Sequence, residues 1–168
     1  MKSLTSAELD ALLAVAQSES ESDHLMFLVT FNHGLRVSET LSLTRENLVA
    51  GNLTVQRLKG SRKTCQPLLP AERDLLLARA ETDGPLFPMS RMTFWRRMQA
   101  YGTKAGIHPD KLHPHILKHA CGKLGFTAGM TLPEVQAYLG HKNGKNTMVY
   151  LEASEDEAAS AFAKAAGK

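Results

Sequence analysis

Apolar residues recur at intervals of three and four along most of the chain, which is the spacing of an amphipathic helix. The first helix is predicted to begin at the capping-box sequence Thr5-Ser6-Ala7-Glu8. Gly34 is predicted to stop the second helix, and Pro114 and Pro133 each fit the first turn of a later one. The predicted helices follow Thr5, Ser22, Ser90 and Ser154 and also cover residues 38–43, 71–80, about 114–128 and 133–139.

Residues 48–69 have a different pattern, in which short apolar stretches alternate with turn signals. Residues 48–58 read as two short strands about Gly51-Asn52, residues 59–63 as a polar turn, and residues 64–69 as a return strand. We therefore predict a mainly helical single domain with a small antiparallel β-sheet, which is an α+β fold.

The pattern also predicts how the large apolar side chains of two helices pack. Met92, Trp95 and Met98 form a stripe after Ser90, and we expect this stripe to pack in the core rather than to serve as a binding surface. The alanine-rich terminal helix is expected to use Phe162 as its one large anchor.

The composition is that of a globular domain, since the 168 residues are 43% hydrophobic and 22% charged. The sequence has neither an apolar run of the roughly 18–20 residues that a membrane span needs nor a basic leader followed by an apolar stretch. Neither of the two cysteines, Cys65 and Cys121, belongs to a CxxC pair. We therefore expect a cytoplasmic protein with no membrane attachment.

The net charge of +3 is unevenly distributed along the chain. Residues 1–56 have a balance of −4, residues 57–118 of +7, residues 119–150 of +2, and residues 151–168 of −2. The basic central block predicts a cationic face that meets a polyanion. A solvated surface accounts for the same charges equally well.

Two segments carry cationic side chains that suit phosphate chemistry. Arg36 follows Gly34, and Glu39 lies one helical turn later, so the guanidinium can hold a phosphate while Glu39 orients it. An ordinary surface ion pair has the same spacing. Lys59 lies in the polar turn, where its ammonium can enter a DNA groove and protonate the 5′-oxygen that leaves when a phosphodiester is cut. The alternative is a charged turn that protects a sheet edge from pairing.

The sequence His113-Pro114-His115-Ile116-Leu117-Lys118-His119 supplies further candidates. His115 and Lys118 share a predicted helix face, where one can exchange a proton near neutral pH and the other can contact a phosphate. His115 and His119 also have a zinc-binding spacing, but no glutamate lies between them and no third ligand is obvious. A core histidine bound to a backbone carbonyl is the other interpretation.

The last segment is Leu139-Gly140-His141, which Tyr150 follows nine residues after the histidine. A phenol with a pKa of roughly 10 is a poor nucleophile at neutral pH unless cations and a base surround it. The upstream segments supply both.

In this order and spacing, the segments resemble the catalytic domain of the tyrosine recombinase (phage integrase) family. That family has an arginine in a G-x-R-x-S-E setting, a hairpin lysine, H-x-x-R, and then L-G-H followed nine residues later by the nucleophilic tyrosine. The resemblance covers roughly residues 5–150. The sequences Arg57-Leu58-Lys59 and Pro67-Leu68-Leu69 also resemble the small fimbrial-switch invertases.

The resemblance implies a reaction without metal, ATP or another cofactor, in which a tyrosine attacks DNA and forms a 3′-phosphotyrosyl link. The implied partner is double-stranded DNA with a specific recombination site. Copies of the chain are expected to be monomers in solution and to assemble on this DNA into a tetrameric synapse. The implied catalytic residues are Arg36, Lys59, His115, Lys118, His141 and Tyr150, with Glu39 supporting Arg36. Candidate contacts to the DNA backbone are Arg62, Lys63, Arg91, Arg96 and Arg97.

Lys118 is the main departure from the family pattern, because it stands in place of an arginine. Lysine keeps the charge but lacks the planar fork, and losing one positioned donor costs on the order of 10²–10³ in rate. A DNA-binding regulator with weak or lost cleavage is therefore an alternative to a recombinase. A type IB topoisomerase-like enzyme is another.

The domain organisation follows from the same resemblance. Residues 1–168 are expected to form a single catalytic domain with its core at about 5–150 and no N-terminal core-binding domain. The helical tail at 151–168 either packs on its own chain or docks on a neighbouring subunit. A fragment of a longer protein is equally compatible with the sequence.

Overall fold

The computed structural model describes residues 3–58, 61–148 and Ala166. Its helices are α1 (Ser6–Glu19), α2 (Glu21–Asn32), α3 (Val37–Leu41), α4 (Pro70–Arg79), α5 (Arg91–Lys104), α6 (Ile116–Thr127), α7 (Leu132–Tyr138) and α8 (Lys145–Met148). The strands are β1 (Leu48–Val49), β2 (Asn52–Val55) and β3 (Thr64–Pro67), and short 3₁₀ turns lie at Arg45–Asn47 and Pro109–Lys111. The mainly helical α+β fold is confirmed.

The three strands form one antiparallel sheet in the order β1-β2-β3. Buried and less buried positions alternate along β2, so that Leu53 and Val55 face the core. β3 ends at Pro67 rather than at Leu69, because Leu69 is already the cap of α4 and its N–H donates to Glu72 Oε1 at 3.0 Å.

Helix α2 forms the centre of the core and packs against α1, α4 and α6. Phe27 of α2 meets Phe94 of α5 edge to face, with ring centroids 5.2 Å apart. The predicted capping box of α1 is confirmed, since Thr5 N donates to Glu8 Oε2 at 2.8 Å and Glu8 N donates to Thr5 Oγ1 at 3.1 Å.

The start of α2 differs from the prediction by two residues. The helix begins at Glu21 and is capped by Ser20, whereas the sequence pattern placed its start after Ser22. The reason is that the Ser20 hydroxyl accepts from Asp23 N at 3.3 Å, which satisfies a free N–H of the first turn.

Two other sequence predictions are wrong. Pro114 does not lie in the first turn of α6, because the chain makes a turn in which Ile116 N donates to His113 O at 3.0 Å, and the helix begins only at Ile116. The stripe on α5 is not all core: Met98 is buried, but Met92 and Trp95 are 54% and 41% exposed. These two side chains help to line an open cavity of about 340 Å³ beside Pro114.

A buried polar network joins α2, β3, α4 and α7. His33 Nε2 donates to Glu72 Oε1 at 2.6 Å, and His33 Nδ1 bonds Gln66 Oε1 at 2.8 Å. Gln66 Nε2 then donates to Tyr138 O at 2.7 Å, and the Tyr138 hydroxyl donates to Asn32 O at 2.7 Å. These bonds fix the C-terminal end of α7 against the end of α2.

Among the described residues, every helix is too short or too polar to cross a lipid bilayer.

Candidate active site

Arg36 lies where the chain reverses between α2 and α3. Gly34 has a φ of +56°, which suits glycine after a helix end, and Arg36 then caps α3. Glu39 Oε2 accepts from Arg36 N at 2.7 Å, while Glu39 Oε1 accepts from Arg36 Nη1 at 3.0 Å. The predicted Arg36–Glu39 pair is therefore present, and the carboxylate holds both the backbone and the side chain of the arginine.

Glu39 is buried, and burial by itself raises the pKa of its carboxyl. The backbone N–H groups of Arg36 and Leu58, together with the Arg57 guanidinium, outweigh this effect and bring the pKa below its ordinary value. The carboxylate stays ionised, so it holds its cationic partners in place at neutral pH.

Arg57 also belongs to the candidate site, although the sequence motifs did not identify it. Its guanidinium is completely buried, and Nη1 donates to Gly34 O at 3.0 Å and to Glu39 Oε2 at 3.1 Å. Nη2 donates to His33 O at 2.8 Å, and Nε donates to Thr64 Oγ1 at 2.8 Å. The alternation of buried positions along β2 continues to this residue, and that signal could have identified an inward-facing arginine.

Lys118 connects the first and the last segments of the predicted site. Its ammonium is buried and donates to Gly34 O at 2.9 Å and to Leu139 O at 3.0 Å. Burial lowers the pKa of Lys118 to about 7, and repulsion from Arg57 acts in the same direction, while Glu39 opposes it. Two of the three N–H donors of the ammonium are thus bonded to backbone carbonyls. With this pKa, the amine is only partly protonated at neutral pH.

His141 lies just beyond α7, after a reversal at Gly140 with a φ of +69°. Its backbone N donates to Gln136 O at 3.0 Å, and its ring Nδ1 bonds Thr147 Oγ1 at 2.9 Å. Burial lowers the pKa of His141 to about 4, helped by the positive charges of Lys118 and Arg36. The ring is therefore a neutral hydrogen-bonding group.

His115 immediately precedes α6 and is exposed. Partial desolvation and the nearby Arg36 lower the pKa of its ring, which favours the neutral form that accepts a proton. His119 packs against the rings of His113 and His115, with centroid distances of 5.5 and 6.5 Å. Within the described part of the chain, no group of three or more His, Cys, Asp or Glu side chains is arranged to hold a metal ion.

The residues predicted to contact DNA fall into two groups. Arg97 is half-buried and pairs with the buried carboxylate of Asp23. Its role as a DNA contact stays a prediction, but it has a structural task between α2 and α5. The exposed members of the set are Arg62, Lys63, Arg91 and Arg96.

The hairpin turn is tied to the His141 loop, because Arg62 N donates to Gly140 O at 3.0 Å. Lys59, Tyr150 and the tail with Phe162 and its cap at Ser154 lie outside the described residues. Their predicted roles stay predictions.

Gly140→Ala is expected to destabilise the protein more than Gly106→Ala. Both glycines have similar φ values, +69° and +74°, but a Cβ at Gly140 would lie 2.8 Å from Arg57 Cγ and 3.0 Å from Arg62 O, whereas Gly106 has open space. The left-handed backbone costs about 1–3 kcal/mol in either variant, and overpacking adds about 1–3 kcal/mol only at Gly140. Urea unfolding of the two variants measures the difference, and equal losses would contradict it.

Most of the chain is similar to proteins of one family. The model of the phage integrase family matches residues 2–157. Tyrosine recombinase XerD of Vibrio cholerae is 32% identical over 176 residues, covering 92% of this chain and 58% of that protein. The type 1 fimbriae regulatory protein FimB of Escherichia coli K12 is 30% identical over 165 residues, covering 88% of this chain and 82% of that protein.

Solved structures share the fold. The XerH site-specific recombinase bound to palindromic difH substrate, a post-cleavage complex, superimposes with a TM-score of 0.79 at 18% identity over 96% of this chain and 52% of that one. The catalytic domain of bacteriophage HP1 integrase gives a TM-score of 0.76 at 22% identity, with 96% and 94% covered.

The chain spans somewhat more than half the length of its XerD relative and most of the length of FimB. The resemblance seen in the motifs, including that to fimbrial-switch recombinases, is confirmed. This chain belongs to the phage integrase, or tyrosine recombinase, family.

Proposed function

We propose that this chain cuts and rejoins double-stranded DNA at a specific site through a phosphotyrosyl intermediate on Tyr150. One observation carries the proposal: the buried Lys118 ammonium bonds Gly34 O and Leu139 O, and thereby holds the Arg36 segment and the His141 segment at one site. The similarity to XerD, and to XerH in complex with its difH substrate, supports DNA as the partner.

In the proposed cleavage step, the Tyr150 hydroxyl attacks the scissile phosphorus and its proton passes to His115. The bond from phosphorus to the 5′-oxygen breaks, and that oxygen takes a proton from Lys59. The products are a 3′-phosphotyrosyl link and a 5′-hydroxyl. A 5′-hydroxyl of a second strand reverses the same step, so the energy of the phosphoester bond is conserved.

The cationic groups around Glu39 stabilise the charge on the phosphate oxygens in this proposal. Arg36 supplies a guanidinium that Glu39 orients, and Lys118 supplies its remaining N–H. A Thr147 hydroxyl that donates to His141 Nδ1 leaves the proton on Nε2, where the neutral ring can donate to a phosphate oxygen. In this proposal, the segments that carry Arg36, Lys118 and His141 each contribute a hydrogen-bond donor to the phosphate.

Arg62, Lys63, Arg91 and Arg96 are exposed cations and are proposed to contact the DNA backbone without reading its sequence. Strand exchange requires more than one active site, so we further propose that copies of the chain assemble on DNA into a tetrameric synapse. The tail at 151–168 is the proposed contact between neighbouring copies.

A second candidate function is a DNA-binding regulator of the same fold with weak cleavage. The engagement of Lys118 with two backbone carbonyls favours it, because that ammonium has one N–H left for a phosphate where a guanidinium fork would offer two. The two candidates differ in whether a covalent complex with DNA forms.

Covalent capture from random-sequence DNA distinguishes them. The full chain is incubated with a pool of random duplexes, the mixture is denatured in detergent, and the DNA that stays attached to protein is sequenced. A recombinase is expected to enrich one sequence in the attached fraction. Enrichment of a sequence in the native complex with none in the denatured one would favour the regulator.

A further inference from the structure

The two ends of the β2–β3 turn are each fastened to the candidate site. On the incoming side, Leu58 N donates to Glu39 Oε1 at 3.1 Å, so the carboxylate that orients Arg36 also holds the strand end. On the return side, Arg62 N donates to Gly140 O at 3.0 Å. Lys59 lies between these two anchors in the sequence.

Arg57 is the side chain that secures the incoming anchor. Its guanidinium bonds groups from three separate segments: the end of α2 at His33 and Gly34, Glu39 of α3, and Thr64 of β3. A lysine at this position could supply the charge but not the planar fork that reaches all of these acceptors at once. The direction in which the chain leaves β2 is therefore set by Arg57.

We propose that Arg57 is a positioning residue for proton transfer to the leaving group. It fixes the chain after β2, as far as Leu58, against Glu39, the carboxylate that orients Arg36, and Lys59 is the next residue in the sequence. Arg57 does not itself touch the DNA, because its side chain is fully buried. This inference rests on the proposed function of the site and adds a role for Arg57, which is not among the catalytic residues that the resemblance implies.

The test changes the leaving group of the cleavage step, which is the 5′-oxygen of the DNA. A substrate with sulfur in place of the bridging 5′-oxygen at the captured site departs as a thiolate, which needs no proton because thiols are far more acidic than alcohols. The variants are Arg57→Lys and the milder Thr64→Val, which removes one acceptor of the guanidinium. Lys59→Ala is the reference for a lost proton donor, and Arg45→Lys, at an exposed arginine outside the site, is the matched control.

Rates of covalent adduct formation are measured for every protein on both substrates. With the oxygen substrate, Arg57→Lys is expected to be slower than wild type by about 10²-fold, and Thr64→Val by less, while Arg45→Lys is unchanged. With the sulfur substrate, both Arg57→Lys and Thr64→Val are expected to recover most of their loss, as Lys59→Ala does. Urea unfolding midpoints monitor the fold of each variant.

Equal slowing of Arg57→Lys on both substrates, beside recovery of Lys59→Ala, would overturn the role of Arg57 and leave the proposed function intact. Full activity of Arg57→Lys on the oxygen substrate would overturn it as well. Failure of the wild-type chain to form an adduct with either substrate would instead overturn the proposed function, and this inference with it.

Discussion

Tyr150→Phe is expected to abolish the covalent DNA adduct, with a loss on the order of 10⁴-fold or more, because phenylalanine keeps the ring but lacks the attacking oxygen. Adduct formation is read on a denaturing gel with the captured DNA sequence. Binding to the same DNA at constant salt serves as the control, and it should stay within about twofold because phosphate contacts dominate affinity.

The other two tyrosines make poor substitutes for Tyr150 as nucleophiles. The Tyr101 hydroxyl donates to Asp23 Oδ2 at 2.6 Å, and the Tyr138 hydroxyl donates to Asn32 O at 2.7 Å. Burial raises the pKa of each phenol to about 12. An adduct that persists in Tyr150→Phe would mean that a different residue attacks the DNA, and would contradict the assignment.

Lys118 variants are expected to show the second largest effect. Lys118→Met removes the cation at the junction of Gly34 and Leu139, and adduct formation should fall by about 10²–10³. Lys118→Arg introduces a planar guanidinium with a permanent charge, and we expect this variant to form the adduct faster than the wild type. A lower rate for Lys118→Arg would show that the site is fitted to lysine, and the urea midpoints of both variants separate this from unfolding.

The pH dependence of the same rates follows from the Lys118 pKa of about 7. The ammonium loses its proton as pH rises through this value, so the second-order rate constant of adduct formation should fall above pH 7 in the wild type. In Lys118→Arg this alkaline decline should disappear, because a guanidinium stays charged. An unchanged decline in that variant would assign the ionisation to another group.

The elements that local chemistry determines were predictable from the sequence. The capping box at Thr5, the stop at Gly34 and the three-stranded sheet depend on neighbouring residues, and the structure has all three. The pairing of Arg36 with Glu39 is likewise a contact within one helical turn. Motif order then indicated the family, which the relatives confirm.

Features that depend on distant residues were not predictable in the same way. The exposure of Trp95 follows from what the rest of the chain leaves uncovered, and periodicity carries no information about that. The later start of α6 reflects a turn closed by His113 O, which competes with the preference of Pro114 for a first helical turn.

The guanidinium of Arg57 donates to Gly34, Glu39 and His33, which lie 18 to 24 residues away in the sequence. A local sequence pattern therefore cannot identify these partners. The same is true of Lys118, whose two acceptors lie 84 and 21 residues away. The motif predicted a lysine beside a phosphate, and only the fold places that ammonium on two backbone carbonyls.

Mass spectrometry of the covalent complex captured on DNA tests the central claim most directly. After nuclease and protease digestion, the peptide that carries a nucleotide is sequenced to locate the linkage. We expect the modification on Tyr150, attached through a 3′-phosphate, with a free 5′-hydroxyl on the other DNA end. A nucleotide on another residue, or a link through a 5′-phosphate, would contradict the account.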